Sequence, residues 1–245
     1  MHGLPLDLSA ARLGYFFGIP VTNTLLATWV SLAVLILIAY VVGRRPQLVP
    51  GKVQSAFEML FEYVLSYMEQ TLGSREMALR FFPLIMSMFL FIFAANLFEF
   101  LPFLDALTVH VGGATVPLLR SANTDLNTTL ALALISGFVV EAAGVAALGV
   151  WRYGSKFVNV RHGVLQFFIG LIELVSEVAR LIAFSFRLFG NIFAGGILIA
   201  VAALFVPVVL PVPFILFELF VALVQSAIFA LLTLAFLKIA ITPAH

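Results

Sequence analysis

Between Glu173 and Asn191 the chain reads ELVSEVARLIAFSFRLFGN, four charges inside an otherwise apolar stretch. A charged side chain near the centre of a membrane costs roughly 2.5–3.5 kcal/mol on insertion scales, so such groups turn toward protein or water. At about 100° per residue, Glu173, Ser176, Glu177, Arg180, Arg187 and Asn191 fall on one helical stripe. Glu218 and Gln225 also share a face, and a hairpin would bring it opposite Asn191 and Arg187. Two readings compete: structural ion pairs and interhelical hydrogen bonds, or a path for ions. Arg187 favours the second, because it is the most central cation in the stretch and no carboxylate lies three or four residues from it. An arginine stays protonated under nearly any burial, so it attracts a passing carboxylate and bars cations without relaying a proton. Glu218, Glu173 and Glu177 can bind protons or cations transiently.

Three further residues are candidates. Asn96 and Glu99 stand near the outer end of their span and are expected to line an entry, with a solvated helix-end charge as the other reading of Glu99. Glu141 lies mid-span with no basic residue one turn away, and is expected to belong to the outer path.

The elements that must position these groups follow from composition. Of 245 residues, 63% are hydrophobic and 10% charged, against roughly 45–50% and 25% in an ordinary soluble domain. A water-soluble globule is excluded, since too little polar surface exists to cover one. A net charge of +1 indicates neither nucleic acid nor an acidic partner. Without Cys, and with four scattered His, no metal or redox site and no cofactor is expected. No GxxxxGK[ST] loop is present, so nucleotide hydrolysis on this chain is not expected. The first twenty residues lack the basic and apolar regions of a secretory signal, so the first hydrophobic segment is expected to be retained.

Apolar runs define an all-α integral membrane protein of about five transmembrane helices plus one interfacial amphipathic helix. The first span runs from Asn23 to Val42 and stops at Gly43, Arg44, Arg45 and Pro46. Residues 52–73 place Phe57, Leu60, Phe61, Val64, Leu65 and Met68 on one stripe and read as an amphipathic helix. Further spans cover Phe81 to Leu101 and Asp125 to Val150, with Asp125 or Asn127 as cap. The loop between them, with Asp105 and His110, and the basic loop with Arg152, Lys156, Arg161 and His162 are expected to be solvated. Residues 163–206 contain no Pro and exceed the roughly 30 Å hydrocarbon core as one helix, so the segment either breaks near Gly190, Gly195 and Gly196 or lies steeply tilted. Phe214 to Ile241 returns as the last helix of a long, steeply tilted hairpin. The whole chain, 1–245, reads as one membrane domain: an N-terminal span (1–50), an amphipathic helix and loop (51–80), a helical hairpin (81–150) and the tilted hairpin that carries the ion path (163–241). Most Lys and Arg fall on one side, which predicts an outside N-terminus and a cytoplasmic C-terminus.

Taken together, FRLFGNIFAGG at 186–196, TDLNTTLALAL at 124–134, NLFEFLP at 96–102 and ELFVALVQSAIFALLTLAFL at 218–237 resemble subunit a of F-type ATP synthases. The matches occur in family order over roughly the last 60% of the chain.

The resemblance implies that Arg187 is the family's essential arginine, facing the ion-carrying carboxylate of a ring of c subunits. It implies an outer path at Asn191, Gln225 and Glu218, and a cytoplasmic path at Glu173, with Ser176, Glu177 and Arg180 on the same stripe. Gly196 stands where members often carry Glu or His, which leaves Glu218 as the single carboxylate implied there. Implied partners are the c-ring, peripheral-stalk b subunits, the F1 head indirectly, the lipid bilayer and the translocated H⁺ or Na⁺. A bacterial plasma membrane is the implied location, with an organelle membrane as the alternative. A self-contained secondary transporter and a structural membrane anchor are the rival functions. The transporter would show paired repeats that are absent from this sequence, and the anchor would tolerate neutral residues at Arg187 and Glu218.

Overall fold

Three of the long helices begin where a short polar side chain satisfies a free backbone donor. In the computed structural model, which describes residues 10–16, 18–44, 51–100, 107–111, 114–154 and 164–242, the Thr22 hydroxyl accepts the Leu25 N–H at the start of α1 (Asn23–Gly43). Ser74 does the same for Met77 in α3 (Arg75–Glu99), which follows α2 (Lys52–Leu72). Asp125, not Asn127, caps α4 (Leu126–Leu148) by accepting the Asn127 N–H, and its other oxygen accepts the Thr24 hydroxyl at 3.0 Å. That one carboxylate ties the starts of α1 and α4 together. A five-residue helix, α5 (Val150–Gly154), leads toward α6 (Val164–Phe205) and α7 (Pro211–Ile241). Arg45, Pro46, Leu101, Asp105, Lys156, Arg161 and His162 lie outside the described residues.

Five of these helices, α1, α3, α4, α6 and α7, are long and apolar enough to cross a membrane. The 42 residues of α6 continue unbroken through Gly190, Gly195 and Gly196, so the alternative of a break at these glycines falls away. A mid-helix glycine costs about 1 kcal/mol relative to Ala, which packing against neighbouring helices offsets. At 1.5 Å per residue the helix is about 63 Å long, so it crosses a roughly 30 Å core steeply or projects beyond it. The return helix starts three residues earlier than expected, at Pro211, because proline suits a first turn whose N–H has no partner. The link between them strains one residue. Val208 has φ 74°, and Val209 N–H reaches back to the Pro207 carbonyl at 3.0 Å, a tight turn that a β-branched residue rarely adopts.

Two small antiparallel hairpins depart from the expected loops: β1 (Arg12–Phe16) with β2 (Ile19–Thr22), and β3 (Thr108–Val111) with β4 (Ala114–Pro117). Asn23 joins them, its Oδ1 accepting the Ala11 N–H and its Nδ2 donating to the Pro117 carbonyl. The membrane part is all-α, and these hairpins sit at the end where α1 and α4 begin.

The opposite, basic end carries Lys52, Arg75, Arg152 and Lys238. Lys238 of α7 donates to the Leu72 carbonyl at 3.3 Å, beside Gly73 at φ 75°, so a cation closes the negative end of α2. The apolar stripe of α2 packs against the bundle through Met68 and Leu72, with Phe61 edge-on to Phe82. Ile85, Leu234 and Leu237 continue this core, and Ile92, Phe184, Leu188 and Phe229 fill the middle of the bundle.

Candidate functional site

A chain of buried polar groups occupies the bundle near the hairpin end. A 3-10 turn (Ala122–Thr124) carries Asn123 inward, where its Nδ2 donates to Asn96 Oδ1 at 2.6 Å and to the Ile92 carbonyl at 3.4 Å. Asn96, fully buried on α3, donates in turn to the Ala222 carbonyl of α7. Ser121 reaches the Ala95 carbonyl at 2.8 Å, and Thr129 of α4 pairs with Ser185 of α6 at 3.0 Å.

Toward α6 this network meets the predicted acids. Glu218 is 5% exposed and its carboxylate rests on Gly195, where a β-carbon would overlap it. Glu99, half-buried at the end of α3, brings Oε1 within 3.3 Å of where a Gly196 β-carbon would stand. Glu218 and Glu99, from α7 and α3, thus border two consecutive glycines of α6. Gln225 is buried and Asn191 half-buried. Glu218 Oε2, Gln225 Nε2, Asn191 Nδ2 and Asn123 Oδ1 are buried atoms without a hydrogen-bond partner among the described residues. Buried polar atoms of this kind hold ordered water or ions, since leaving them bare costs roughly 1–3 kcal/mol each.

Arg187 stands apart from this interior. Its side chain lies on the exposed surface of α6, with the guanidinium carbon 5.9 Å from the Phe184 ring centre and no carboxylate partner among the described residues.

A second polar group forms nearer the basic end. Arg180 donates to Glu177 at 2.7 Å, and its guanidinium lies 3.8 Å from the Phe236 ring centre. Glu173 is half-buried one turn away, whereas Ser176 is exposed and donates to the Ile172 carbonyl of its own helix. Glu141 falls here rather than with Glu218. It neighbours Tyr153 of α5, which also feels Glu177 and Arg180. This position follows from spacing: Glu141 is sixteen residues past Asp125, about 24 Å along α4 from the hairpin end. Burial first, and then Glu141, hold the Tyr153 phenol well above its ordinary value.

Sequence reasoning missed Asn123, Ser121, Ser185 and Tyr153. The SANTD run before α4 carried a signal, four polar residues among five, but it reads as an ordinary loop until the 3-10 turn folds it inward.

Five helices long and apolar enough to cross a membrane, two polar clusters within the bundle and an outward-facing arginine define a polytopic α-helical membrane protein. The family model for the ATP synthase A chain matches residues 25–238. A subunit a of ATP synthase from Mycobacterium marinum is 36% identical over 220 residues, covering 88% of this chain and 85% of the relative. One from Bradyrhizobium diazoefficiens is 35% identical over 91% of this chain and 89% of its own length. A sodium ion specific subunit a from Propionigenium modestum is 30% identical over 97% of this chain and 80% of its own length. The chain belongs to the ATP synthase subunit a family.

Proposed function

We propose that this chain is the stationary, ion-translocating subunit of a rotary synthase and forms two aqueous half-channels separated by Arg187. The observation that carries the reading is the position of Arg187. It faces outward from α6 with no carboxylate partner among the described residues, while carboxylates lie behind it toward both ends of the bundle.

An ion, H⁺ or Na⁺, enters past Asn96, Glu99, Glu218, Asn191 and Gln225 and neutralises a carboxylate on the c-ring. A neutral carboxyl can turn through lipid where a charged one cannot. After most of a turn it releases its ion toward Glu173, Ser176, Glu177 and Arg180. Arg187 keeps its charge throughout and so blocks direct passage between the halves. Each charge crossing 100 mV supplies about 2.3 kcal/mol.

The excess of Lys and Arg supports an orientation with the basic end in the cytoplasm and the hairpin end outside, in the plasma membrane of a bacterial cell. The ring, the b subunits of the stalk and, through them, the F1 head complete the machine.

The test is ATP-driven ion uptake into inverted membrane vesicles carrying Arg187→Ala, with assembly checked by pull-down of the ring and head. Lost uptake with intact assembly supports the gate. Normal coupled uptake returns these charges to a structural role.

A further inference from the structure

Arg187 stands on the surface of α6, yet the two polar clusters also face each other through the interior of the bundle. From the hairpin end toward the basic end, three helices run polar, apolar, polar. On α4 Thr129 gives way to Ala133 and then Ser136, and on α7 Gln225 gives way to Phe229 and then Thr233. On α6 Asn191 gives way to Leu188 and Phe184 and then Arg180. From α3, Ile92 and Met88 follow one and two turns below Asn96. The apolar members of this series, Met88, Ile92, Ala133, Phe184, Leu188 and Phe229, are all buried and pack as one cluster.

That cluster is too thick for a hydrogen-bonded chain to bridge. Thr129 to Ser136 spans about 10 Å along α4, and Gln225 to Thr233 about 12 Å along α7, whereas hydroxyl oxygens in a hydrogen bond stand about 2.7–2.8 Å apart. The Thr129–Ser185 pair, at 3.0 Å, and the Ser136–Thr233 pair, at 2.9 Å, lie on opposite sides of Ala133. Between α6 and α7 the gap is closed by rings: Phe184 meets Phe229 at 5.0 Å and Phe236 at 5.7 Å between centres. Water has places on either side. Toward the hairpin end are the buried amide nitrogens of Asn191 and Gln225. Toward the basic end lies a cavity of about 20 Å³ that Ser136, Glu177 and Arg180 line and that Phe184 and Phe236 wall off, with room for about one water. Two cations border the layer as well. The guanidinium carbon of Arg187 is 5.9 Å from the Phe184 ring centre, and that of Arg180 is 3.8 Å from the Phe236 ring centre. An ion crossing between the clusters would lose its water and pass fixed positive charge.

We propose that Phe184, Leu188 and Phe229 form a second ion barrier, internal to the chain. It rests on the ion path proposed above. Two half-channels short-circuit if water joins them by any route. Arg187 faces outward from α6 and blocks the route over that surface, but its side chain does not occupy the interior. The apolar layer closes the route through the bundle, and Phe229 fills its centre between α6 and α7.

The test uses the whole complex in vesicles without nucleotide or phosphate, so that head and ring stand still, and follows the decay of an imposed pH gradient. Phe229→Asn and Phe229→Leu are compared with the parent, each with ring pull-down. The two new side chains are close in size, but the amide offers water hydrogen bonds, whereas Leu leaves an apolar void that stays dry. Decay is expected to be at least about tenfold faster in Phe229→Asn, equivalent to a barrier lower by about 1.4 kcal/mol, and near the parent's in Phe229→Leu. Two tight variants overturn the proposal, and so do equal leaks, which mark a packing defect. Where Phe229→Asn fails to assemble, single cysteines decide, because the chain has none of its own. Leu188→Cys shielded from Ag⁺ while Ser66→Cys, on the exposed side of α2, reacts supports the barrier, and equal reactivity overturns it. Because the ring stands still in the leak assay, coupled uptake retained by Arg187→Ala would overturn the half-channels, while the leak measurement judges the layer separately.

Discussion

The Glu218 carboxylate rests against Gly195 in the space a β-carbon would fill, and Glu99 lies beside the next residue, Gly196. Two acids from two different helices thus meet α6 where it has no side chains. The two glycines differ in the room they leave, and that difference can be tested. Gly195→Ala forces a buried carboxylate aside, at an overpacking cost of about 1–3 kcal/mol, and ion uptake is expected to collapse in complexes that still bind the ring. Gly196→Ala meets a single oxygen at 3.3 Å, which a few tenths of an ångström of movement relieves, and uptake is expected to stay near the parent's. Equal losses from both would detach Glu218 from the ion path.

Arg187→Lys preserves a positive charge and discards the permanence of the guanidinium. An ammonium on an apolar surface can lose its proton. The complex is expected to assemble, with uptake reduced by at least about tenfold, equivalent to about 1.4 kcal/mol of barrier. Parent-level uptake in vesicles would reduce Arg187 to a generic surface charge.

The Ser136–Thr233 hydroxyl pair, at 2.9 Å between α4 and α7, is a packing contact within the bundle. Thr233 also donates to the Phe229 carbonyl at 2.9 Å, so Ser136→Ala leaves it satisfied. Thermal unfolding in detergent should register about 0.6 kcal/mol of destabilisation, a usual value for a hydrogen bond between membrane helices. A loss several times larger would show that the pair does more than join two helices.

Tyr153 makes stability fall in strong alkali. Its phenol titrates above the ordinary 10.0 in the folded protein, so above that pH the unfolded chain has released a proton that the folded chain still holds. With fewer protons bound in the unfolded state, stability declines as pH rises, and it is unaffected below. Tyr153→Phe should flatten that alkaline limb in pH-dependent unfolding, and an unchanged limb would assign it to another group.

Val208, at φ 74°, stores strain in the turn between α6 and α7. A left-handed conformation costs an L-residue roughly 1–2 kcal/mol, against a smaller entropic penalty for glycine. Val208→Gly is therefore expected to raise stability by about 1 kcal/mol in the same unfolding assay, with uptake unchanged.

The helices were legible because their signals are local. Asp125 marks its own helix start and the apolar runs set the spans, whereas Ser74 starts α3 at Arg75, six residues before the expected Phe81. The hairpins were not legible, since four-residue strands such as TVHV and ATVP carry too short an alternation to separate from a loop. The stripe on α6 was partly legible. Its residues share a helix, yet Arg187 lies on the exposed surface, Glu177 and Arg180 pair within the bundle, and Ser176 bonds its own backbone. Crowding from α4 and α7 makes that distinction, and spacing within α6 does not contain it.

By itself, then, the sequence determined a membrane-embedded helical protein, the number and order of its spans and the family motif around Arg187, all consequences of composition and short-range order. Tertiary structure alone decided which buried groups meet. It set Glu99 beside Gly196, turned Asn123 onto Asn96, and moved Glu141 away from Glu218 to Tyr153. Contacts between helices depend on the depth and register at which antiparallel neighbours pack, and the periodicity of a single helix specifies its faces but not its partners.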